Sequence, residues 1–200
     1  MNIKENRINN WLYHNNRFNK KPRPRSVRTI DILKSKKLVP LKVNDRRIKW
    51  LARICGFLFG DGHLDKKLEK LSFSGEIPDL NIINNEFLRY VKETGKIYTR
   101  SGYCFIEGRE IRGTTNDLWF VNGPLSRLFY SLGVPKGDKT KAKFHFPNWI
   151  KKDKCILREF CRSLLWAELT TPKIKVGTSF GFVGFFMKKK DFIEEHLQML

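Results

Sequence analysis

The stretch ICGFLFGDGHL, residues 54–64, decides the fold of this chain. It continues an apolar run that begins at Ile48, and the spacing of that run predicts a helix buried on most of its surface. The run ends in Gly60-Asp61-Gly62, so a carboxylate stands where glycines can end a helix. Asp near a helix end is also ordinary turn chemistry, so this tripeptide alone does not indicate a site.

The pattern of small residue, three large residues, small residue and acid occurs twice in the chain. It occurs first at residues 56–61 and again at residues 163–168. Residues four apart share one face of a helix, and two small residues there let another backbone approach closely. We therefore predict that the two helices pack against each other through these small residues, which are Gly56, Gly60, Ser163 and Ala167.

An acid follows each pair of small residues, and helix packing should bring the two acids together. We expect Asp61 and Glu168 side by side at one end of the helix pair. Two carboxylates at the negative ends of two helix dipoles repel each other unless a cation lies between them. Mg²⁺ or Mn²⁺ suits such oxygen ligands, and in that position it can promote phosphodiester hydrolysis. Asp61 and Glu168 are therefore candidate metal ligands and catalytic residues.

The charge balance points to a polyanionic partner. Forty Lys and Arg residues against twenty Asp and Glu residues give a net charge of +20, far more than solubility requires. The chain has no long apolar span, and its N-terminus has no signal-peptide core, so we expect a soluble cytoplasmic protein that does not bind membranes. The four cysteines include no CxxC pair, which disfavours a zinc site.

Changes in composition divide the chain into four segments. We predict a solvated basic arm at 1–47, a first α/β unit at 48–134, a linker at 135–154 and a second, partial unit at 155–200. The first unit is expected to contain a helix, a strand or hairpin, a second helix, two or three further strands and a third helix. The first unit continues from Asp61 to Gly133, whereas only residues 169–200 follow Glu168, so we expect the second unit to be incomplete at its C-terminal end.

ICGFLFGDG, residues 54–62, resembles the signature of the LAGLIDADG homing endonucleases, and residues 161–169 resemble a degenerate second copy. LGVPKGDKT at 132–140 and FPNWI at 146–150 are similar to the linker of archaeal and intein-type members. The resemblance implies an α/β (α+β) fold with two pseudo-symmetric units, antiparallel DNA-binding sheets and a central two-helix interface. It also implies that the last acid of each motif, here Asp61 and Glu168, binds a divalent cation.

The same resemblance implies a pseudo-dimeric monomer that cleaves double-stranded DNA and takes part in intron or intein mobility. INNWLYHNNRFNKKPRPR, residues 8–25, is in addition similar to the end of a helix-turn-helix segment that precedes the nuclease in some archaeal members. The arm is therefore either a flexible basic segment or a helix-turn-helix remnant.

Basic residues in the predicted strands and turns are candidate DNA contacts, because alternate strand residues can face a groove. Solvated surface charge is an equally good interpretation of any one of them. Lys173 lies close after Glu168 and is also a candidate catalytic residue, which could polarise the attacking water or steady the phosphate. The candidate DNA contacts are Arg100, Arg109, Arg112, Lys173 and Lys175.

Two functions fit these features. The leading hypothesis is a Mg²⁺-dependent, site-specific double-stranded DNA endonuclease, which is a hydrolase. The alternative is a nuclease-inactive module that binds DNA or structured RNA, such as a regulator or a splicing maturase on the same scaffold. Metal-dependent cleavage distinguishes the two functions, whereas either should bind nucleic acid in a strongly salt-dependent way.

Overall fold

The computed structural model describes residues 24–41, 45–106, 109–139, 141, 145–170 and 184–185. In these residues the helices are α1 (Pro24–Ser35), α2 (Arg47–Phe59), α3 (Ile77–Val91), α4 (Gly123–Ser131), α5 (Asn148–Lys151) and α6 (Lys154–Glu168). The strands are β1 (Gly62–Leu64), β2 (Leu71–Gly75), β3 (Lys96–Ile106), β4 (Arg109–Phe120), β5 (Leu169–Thr170) and β6 (Gly184–Phe185). Within the same residues, each helix is too short or too polar to cross a membrane.

Four of these strands form one antiparallel sheet in the order β1-β2-β4-β3. Side chains alternate between the two faces of the sheet, and one face carries the buried residues Phe73, Leu118 and Phe120. Helix α3 covers this inner face, where the Phe87 ring stacks on Phe120 with 4.1 Å between centroids. The predicted mixed α/β fold class is therefore confirmed.

Helix α2 lies at the centre of the core, as its apolar run predicts. Its residues are buried on most sides, and Trp50 packs against two rings of α3. The centroid of Trp50 lies 5.4 Å from Phe87 and 5.2 Å from Tyr90. The helix ends at Phe59, where the backbone N–H of Gly60 donates to the Gly56 carbonyl at 3.1 Å.

The interpretation of residues 1–47 as a solvated arm is wrong for α1 and the loop after it. Leu33, Leu38 and Leu41 are buried in the same core as α2. The Arg127 guanidinium of α4 also donates to the Thr29 hydroxyl at 3.1 Å. These few apolar residues are scattered among lysines, so the basic composition concealed a helix with a single buried face. Residues 1–23, including most of the stretch similar to a helix-turn-helix segment, lie outside the described residues.

Of the predicted second unit, the structure describes helix α6 and the short pairing of β5 with β6. Leu169 pairs with Phe185, and Thr170 pairs with Gly184. The rest of the predicted second unit falls at 171–183 and 186–200, outside the described residues. The incompleteness of this unit therefore stays a prediction.

Arg53 on α2 forms ion pairs with residues of two other helices. Its guanidinium donates to Glu86 on α3, and its Nη2 donates to Glu159 on α6 at 2.8 Å. The two glutamate side chains are only 18% and 17% exposed, so they depend on this cation for compensation. Burial raises the pKa of Glu86, Arg53 opposes that rise, and the nearby Glu159 adds to it.

We expect Arg53→Met to lower the free energy of unfolding by about 1–3 kcal/mol at neutral pH, because two half-buried carboxylates lose their charged partner. The pKa of Glu86 should rise further without Arg53, so protonation in acid should relieve part of this loss. Denaturant unfolding at neutral and acidic pH measures both effects. The control is Arg112→Met, since Arg112 pairs with Glu110 but is 85% exposed, and it should change stability by less than about 0.5 kcal/mol. A loss that does not shrink in acid would contradict this account.

Candidate functional site

Helices α2 and α6 approach each other most closely at Gly56. A Cβ atom placed at Gly56 would overlap the Ser163 hydroxyl and the Phe160 carbonyl oxygen, and it would lie 3.1 Å from the Leu164 nitrogen. Ser163 is 1% exposed, and its hydroxyl donates within its own helix to the Glu159 and Phe160 carbonyls. The missing side chain at Gly56 therefore lets the two backbones come into contact.

The contacts between these helices run in the same direction along both chains. Going along the pair, they are Arg53 with Glu159, Gly56 with Ser163, and Phe57 with Trp166. Since residue numbers increase together, the C-termini of the two helices lie at the same end of the pair. Asp61 follows α2 within two residues, and Glu168 is the last residue of α6. The backbone thus carries both predicted acids to one end.

The other predicted residues of this region are placed as follows. Gly60 is buried at the end of α2, and Ala167 is half-buried in the last turn of α6. The side chain of Glu168 falls outside the described part of the structure, as does all of Lys173 and Lys175. The roles predicted for these three residues stay predictions.

The Asp61 carboxyl group lies at the rim of the structure. It is exposed, but enough protein surrounds it that partial desolvation raises its pKa, an effect that the nearby Lys139 ammonium opposes. Among the described residues, its carboxylate accepts no hydrogen bond. Asp61 is therefore an oxygen ligand that protein hydrogen bonds within this part of the chain do not occupy.

Lys139 lies at this site, although the sequence did not lead us to predict it there. Its ammonium donates to the carbonyl of Gly60 and, at 3.1 Å, to that of Phe59. These carbonyls are the negative end of the α2 dipole, so a cation is favourable there. Partial burial lowers the pKa of His63, the residue after Gly62, and the Lys139 ammonium lowers it further.

The loop after α4 delivers Lys139 to the end of α2. Gly137 has a φ of +72°, a left-handed conformation that favours glycine, and its N–H donates to the Leu64 carbonyl of β1 at 2.7 Å. The loop is thereby fixed to the strand that follows Asp61. Lys139 is the second lysine after Pro135 in the LGVPKGDKT segment, and only the fold shows that it reaches the carbonyl end of a helix.

We expect Lys139→Gln to raise the pKa of Asp61, because it removes the cation that lowers it. It should also reduce the free energy of unfolding by about 1–2 kcal/mol, since the α2 carbonyls lose a charged donor. Carbon-detected NMR titration of the carboxyl group measures the first effect, and thermal unfolding measures the second. Lys141→Gln is the matched control: Lys141 is 86% exposed, and its change should leave both quantities nearly unaltered. Equal effects of the two variants would refute the role of Lys139.

The outer face of the sheet carries polar, basic and aromatic side chains. The Lys70 ammonium lies 3.8 Å from the ring centroid of Trp119, and the Tyr98 ring lies 4.9 Å from the same residue. Strand β1 begins at Gly62, directly after Asp61, so this face is continuous with the end of the helix pair. Lys70, Tyr98 and Trp119 were not predicted as contact residues.

Three of the predicted DNA contacts lie on the β3–β4 hairpin. Arg100 projects from the outer face and forms an ion pair with the buried Asp117. Arg112 is exposed near the hairpin tip and donates to Glu110 at 2.8 Å. Arg109 lies in β4, but its side chain is outside the described part of the structure.

No three His, Cys, Asp or Glu residues of the described part of the chain lie close enough together to hold one metal ion. Asp61 is the predicted ligand whose side chain this part includes. A metal at this end of the helix pair would therefore need Glu168 in addition, together with water or phosphate oxygens.

Comparison with known proteins finds similar stretches inside three proteins of different names. The chain is 37% identical over 169 residues to the DNA-directed RNA polymerase subunit Rpo1N of Methanocaldococcus jannaschii, which covers 80% of this chain and 13% of that protein. It is 33% identical over 134 residues to the replication factor C small subunit of the same organism, covering 66% of this chain and 7% of that protein. It is 30% identical over 178 residues to the tRNA-splicing ligase RtcB of Pyrococcus abyssi, covering 84% of this chain and 19% of that protein.

This chain thus spans less than a fifth of the length of each of these relatives. No family model matches it. Among solved structures, the homing endonuclease I-WcaI bound to its DNA recognition sequence matches at 18% identity with a TM-score of 0.35, over 62% of this chain and 60% of that one.

Proposed function

We propose that this protein is a site-specific double-stranded DNA endonuclease of LAGLIDADG type, with a divalent cation held by Asp61 and Glu168. The observation that carries the proposal is the close parallel packing of α2 and α6 at Gly56. Such packing directs two acid-bearing helix ends to one place. A structural helix pair alone would not need a carboxylate at the end of each member, where the helix dipoles disfavour negative charge.

The oxygen chemistry of the helix end fits Mg²⁺ or Mn²⁺. Asp61 is exposed, and its carboxylate accepts no hydrogen bond from the described residues. Asp61 and Glu168 would hold the cation, which when bound would stabilise charge on the phosphate oxygens during hydrolysis. Partial burial raises the pKa of Asp61, which means that it destabilises the ionised carboxylate. A bound cation would offset this cost.

Lys139 would support this site from the protein side. Its ammonium fixes the last carbonyls of α2 and therefore the backbone from which Asp61 projects. It also opposes the rise that partial burial causes in the pKa of Asp61, which favours the ionised carboxyl group. We propose it as a positioning residue for Asp61, and Lys173 stays the predicted basic residue that steadies a phosphate at the site.

The outer face of the sheet is the proposed DNA surface. It carries Lys70, Lys96 and Arg100 next to the Tyr98 and Trp119 rings, and it adjoins Asp61 through β1. A two-stranded ribbon fits the major groove, and the β3–β4 hairpin supplies strands of 11 and 12 residues. The net charge of +20 supplies the attraction to phosphates.

The comparisons support the interpretation of this chain as a mobile inserted element. They do not favour a segment that contributes to the function of any one of these proteins. An RNA polymerase subunit, a replication factor subunit and a tRNA-splicing ligase carry stretches similar to this chain, each in a small part of its length. Their named functions differ, so the shared stretch cannot account for all three. A segment that recurs in unrelated proteins is expected of an element that moves between genes, and a DNA endonuclease would promote that movement.

The test is to incubate the full chain with a large randomised duplex library, with and without Mg²⁺, and to sequence the newly created ends. Breaks at one long motif that require Mg²⁺ would support the endonuclease. Breaks scattered over unrelated sequences would contradict site specificity, and breaks that persist in excess chelator would contradict the cation.

One observation favours the nuclease-inactive DNA- or RNA-binding module as a second candidate. The Lys139 ammonium already places a cation beside Asp61 at the carbonyl end of α2, where it could serve in place of a metal. In that case the same library, or structured RNA, should be retained in a salt-sensitive way without breaks at any Mg²⁺ concentration.

A further inference from the structure

Asp117 is buried, although it lies on the outer face of the sheet and not on the face that packs on the core. It is 2% exposed, yet its strand neighbours Leu118 and Phe120 define the inner face on which α3 packs. Because side chains alternate along a strand, Asp117 belongs to the outer face, where it pairs in register with Ser74 and Tyr98. A buried carboxylate is unfavourable unless other groups compensate its charge.

Two contacts compensate the Asp117 carboxylate. The Ser74 hydroxyl donates to Oδ1 at 2.6 Å. Oδ2 accepts no hydrogen bond from the described residues, but it lies in ion-pair contact with Nη2 of Arg100. Arg100 is therefore the charged group that makes burial of this acid tolerable.

The pair is asymmetric in exposure. The Asp117 side chain is 3% exposed, whereas the Arg100 side chain is 64% exposed. Arg100 pairs with Thr115, two residues before Asp117, so the acid and the base are diagonal neighbours on one face and within reach of a long side chain. The buried carboxylate thus anchors one nitrogen of a guanidinium that otherwise faces outward.

Anchoring matters because a guanidinium reads a guanine only when its planar fork is correctly oriented. The contact with Asp117 uses Nη2 and leaves donors on the other nitrogens. A fork held before binding loses less rotamer freedom on contact with the O6 and N7 atoms of guanine. A lysine or an unanchored arginine would supply charge without this orientation.

We propose that Asp117 is a positioning residue that orients Arg100 for a base contact, and that the pair sets the sequence preference at one base pair of the bound DNA. This inference rests on the proposed function, since it requires that the outer face of the sheet contact DNA. A buried acid inside a basic face is then explained by its effect on Arg100.

The β3–β4 hairpin supplies a matched control. Arg112 pairs with Glu110, but this pair is 85% and 40% exposed, so neither partner is anchored in protein. An exposed ion pair holds its members weakly. Removing the acid at Glu110 should therefore leave base preference unchanged.

The experiment selects DNA bound by the full chain, without Mg²⁺, from a randomised duplex library and sequences it. In Asp117→Asn, the side chain keeps its size and Arg100 keeps its charge. Preference at one position of the wild-type motif should fall by roughly 5- to 150-fold, the discrimination expected of one bidentate contact. The salt dependence of binding should stay the same, because no phosphate contact is lost. Glu110→Gln should reproduce the wild-type motif.

Arg100→Lys tests the same inference without altering a buried residue. It keeps the charge but removes the fork, so it should relax the same position as Asp117→Asn, and it decides the matter if Asp117→Asn does not fold. Uniformly weaker binding with an unchanged motif would mean a phosphate contact and would overturn the inference while leaving the proposed function intact. If the wild-type chain selects no motif, both the inference and the proposed function fail.

Discussion

Asp61→Asn should abolish Mg²⁺-dependent cleavage and leave DNA binding and folding intact. The amide keeps the shape of the side chain but removes the negative oxygen that would bind the cation. We expect a loss of more than about 100-fold, because residues that only orient metal ligands already change activity by about 10- to 100-fold. Cleavage of the motif recovered from the library measures the loss, and a gel-shift assay of the same duplex measures binding.

The same substitution should not destabilise the protein. The folded-state pKa of Asp61 is raised above 3.8, so the ionised group opposes folding at neutral pH and ceases to do so once acid protonates it in both states. Asp61→Asn should therefore be at least as stable as the wild type at neutral pH, and the difference should disappear below a pH of about 3.8. Parallel loss of cleavage, binding and stability would show that Asp61 is structural.

Asp138→Asn is the control for Asp61→Asn. Asp138 lies in the same region, in the loop that carries Lys139, but its side chain is 49% exposed and its partner Lys141 lies 3.7 Å away. Removing this charge should change cleavage by less than a factor of about three, as expected for a screened surface pair. An equally large loss in both variants would point to general electrostatics instead of metal binding.

Local patterns were sufficient to predict the elements around the site. The all-round apolar run predicted the buried helix α2, and further strands were expected between the second and third helices of the first unit, where β3 and β4 lie. Gly56 and Ser163 were expected at a helix contact because small residues at the same helix face permit close approach, and the structure brings these two together. The helix and strand inferences need only residues within a few positions of one another, whereas the helix contact was predicted because one pattern occurs at both 56–61 and 163–168.

Interactions between distant segments that share no repeated pattern could not be predicted in this way. Lys139 reaches the end of α2 only because Gly137 fixes its loop to β1, and Asp117 meets Arg100 only in the register of β3 and β4. Nothing in the local sequence around these residues distinguishes them from surface charges. The error over residues 1–47 has a related cause, since Leu33 and Leu38 become core residues only when other elements complete the core.

Gly56→Ala should destabilise the protein strongly, although alanine is the better helix former by about 1 kcal/mol. Its methyl group would overlap the Ser163 hydroxyl and the Phe160 carbonyl oxygen, and the latter is a backbone atom that moves only with α6. Overpacking of this kind costs about 1–3 kcal/mol. We expect a net loss near the upper end of that range and a fall in Tm of roughly 6–12 °C, since 1 kcal/mol shifts the Tm of a protein of this size by about 2–4 °C. Thermal unfolding and denaturant titration measure it.

The response of partner variants separates the helix contact from a general intolerance of alanine. Gly113 lies in β4, where an added Cβ atom would have no other atom within 4 Å. Gly113→Ala should therefore leave Tm unchanged or slightly higher. Ser163→Gly in the Gly56→Ala background removes one of the two overlapping atoms, so it should restore part of the loss but not all, because the Phe160 carbonyl remains. Full rescue would mean that the backbones are not in contact. Absence of any loss in Gly56→Ala would mean that α2 and α6 do not pack at this residue, and the convergence of Asp61 and Glu168 would then lose its structural basis.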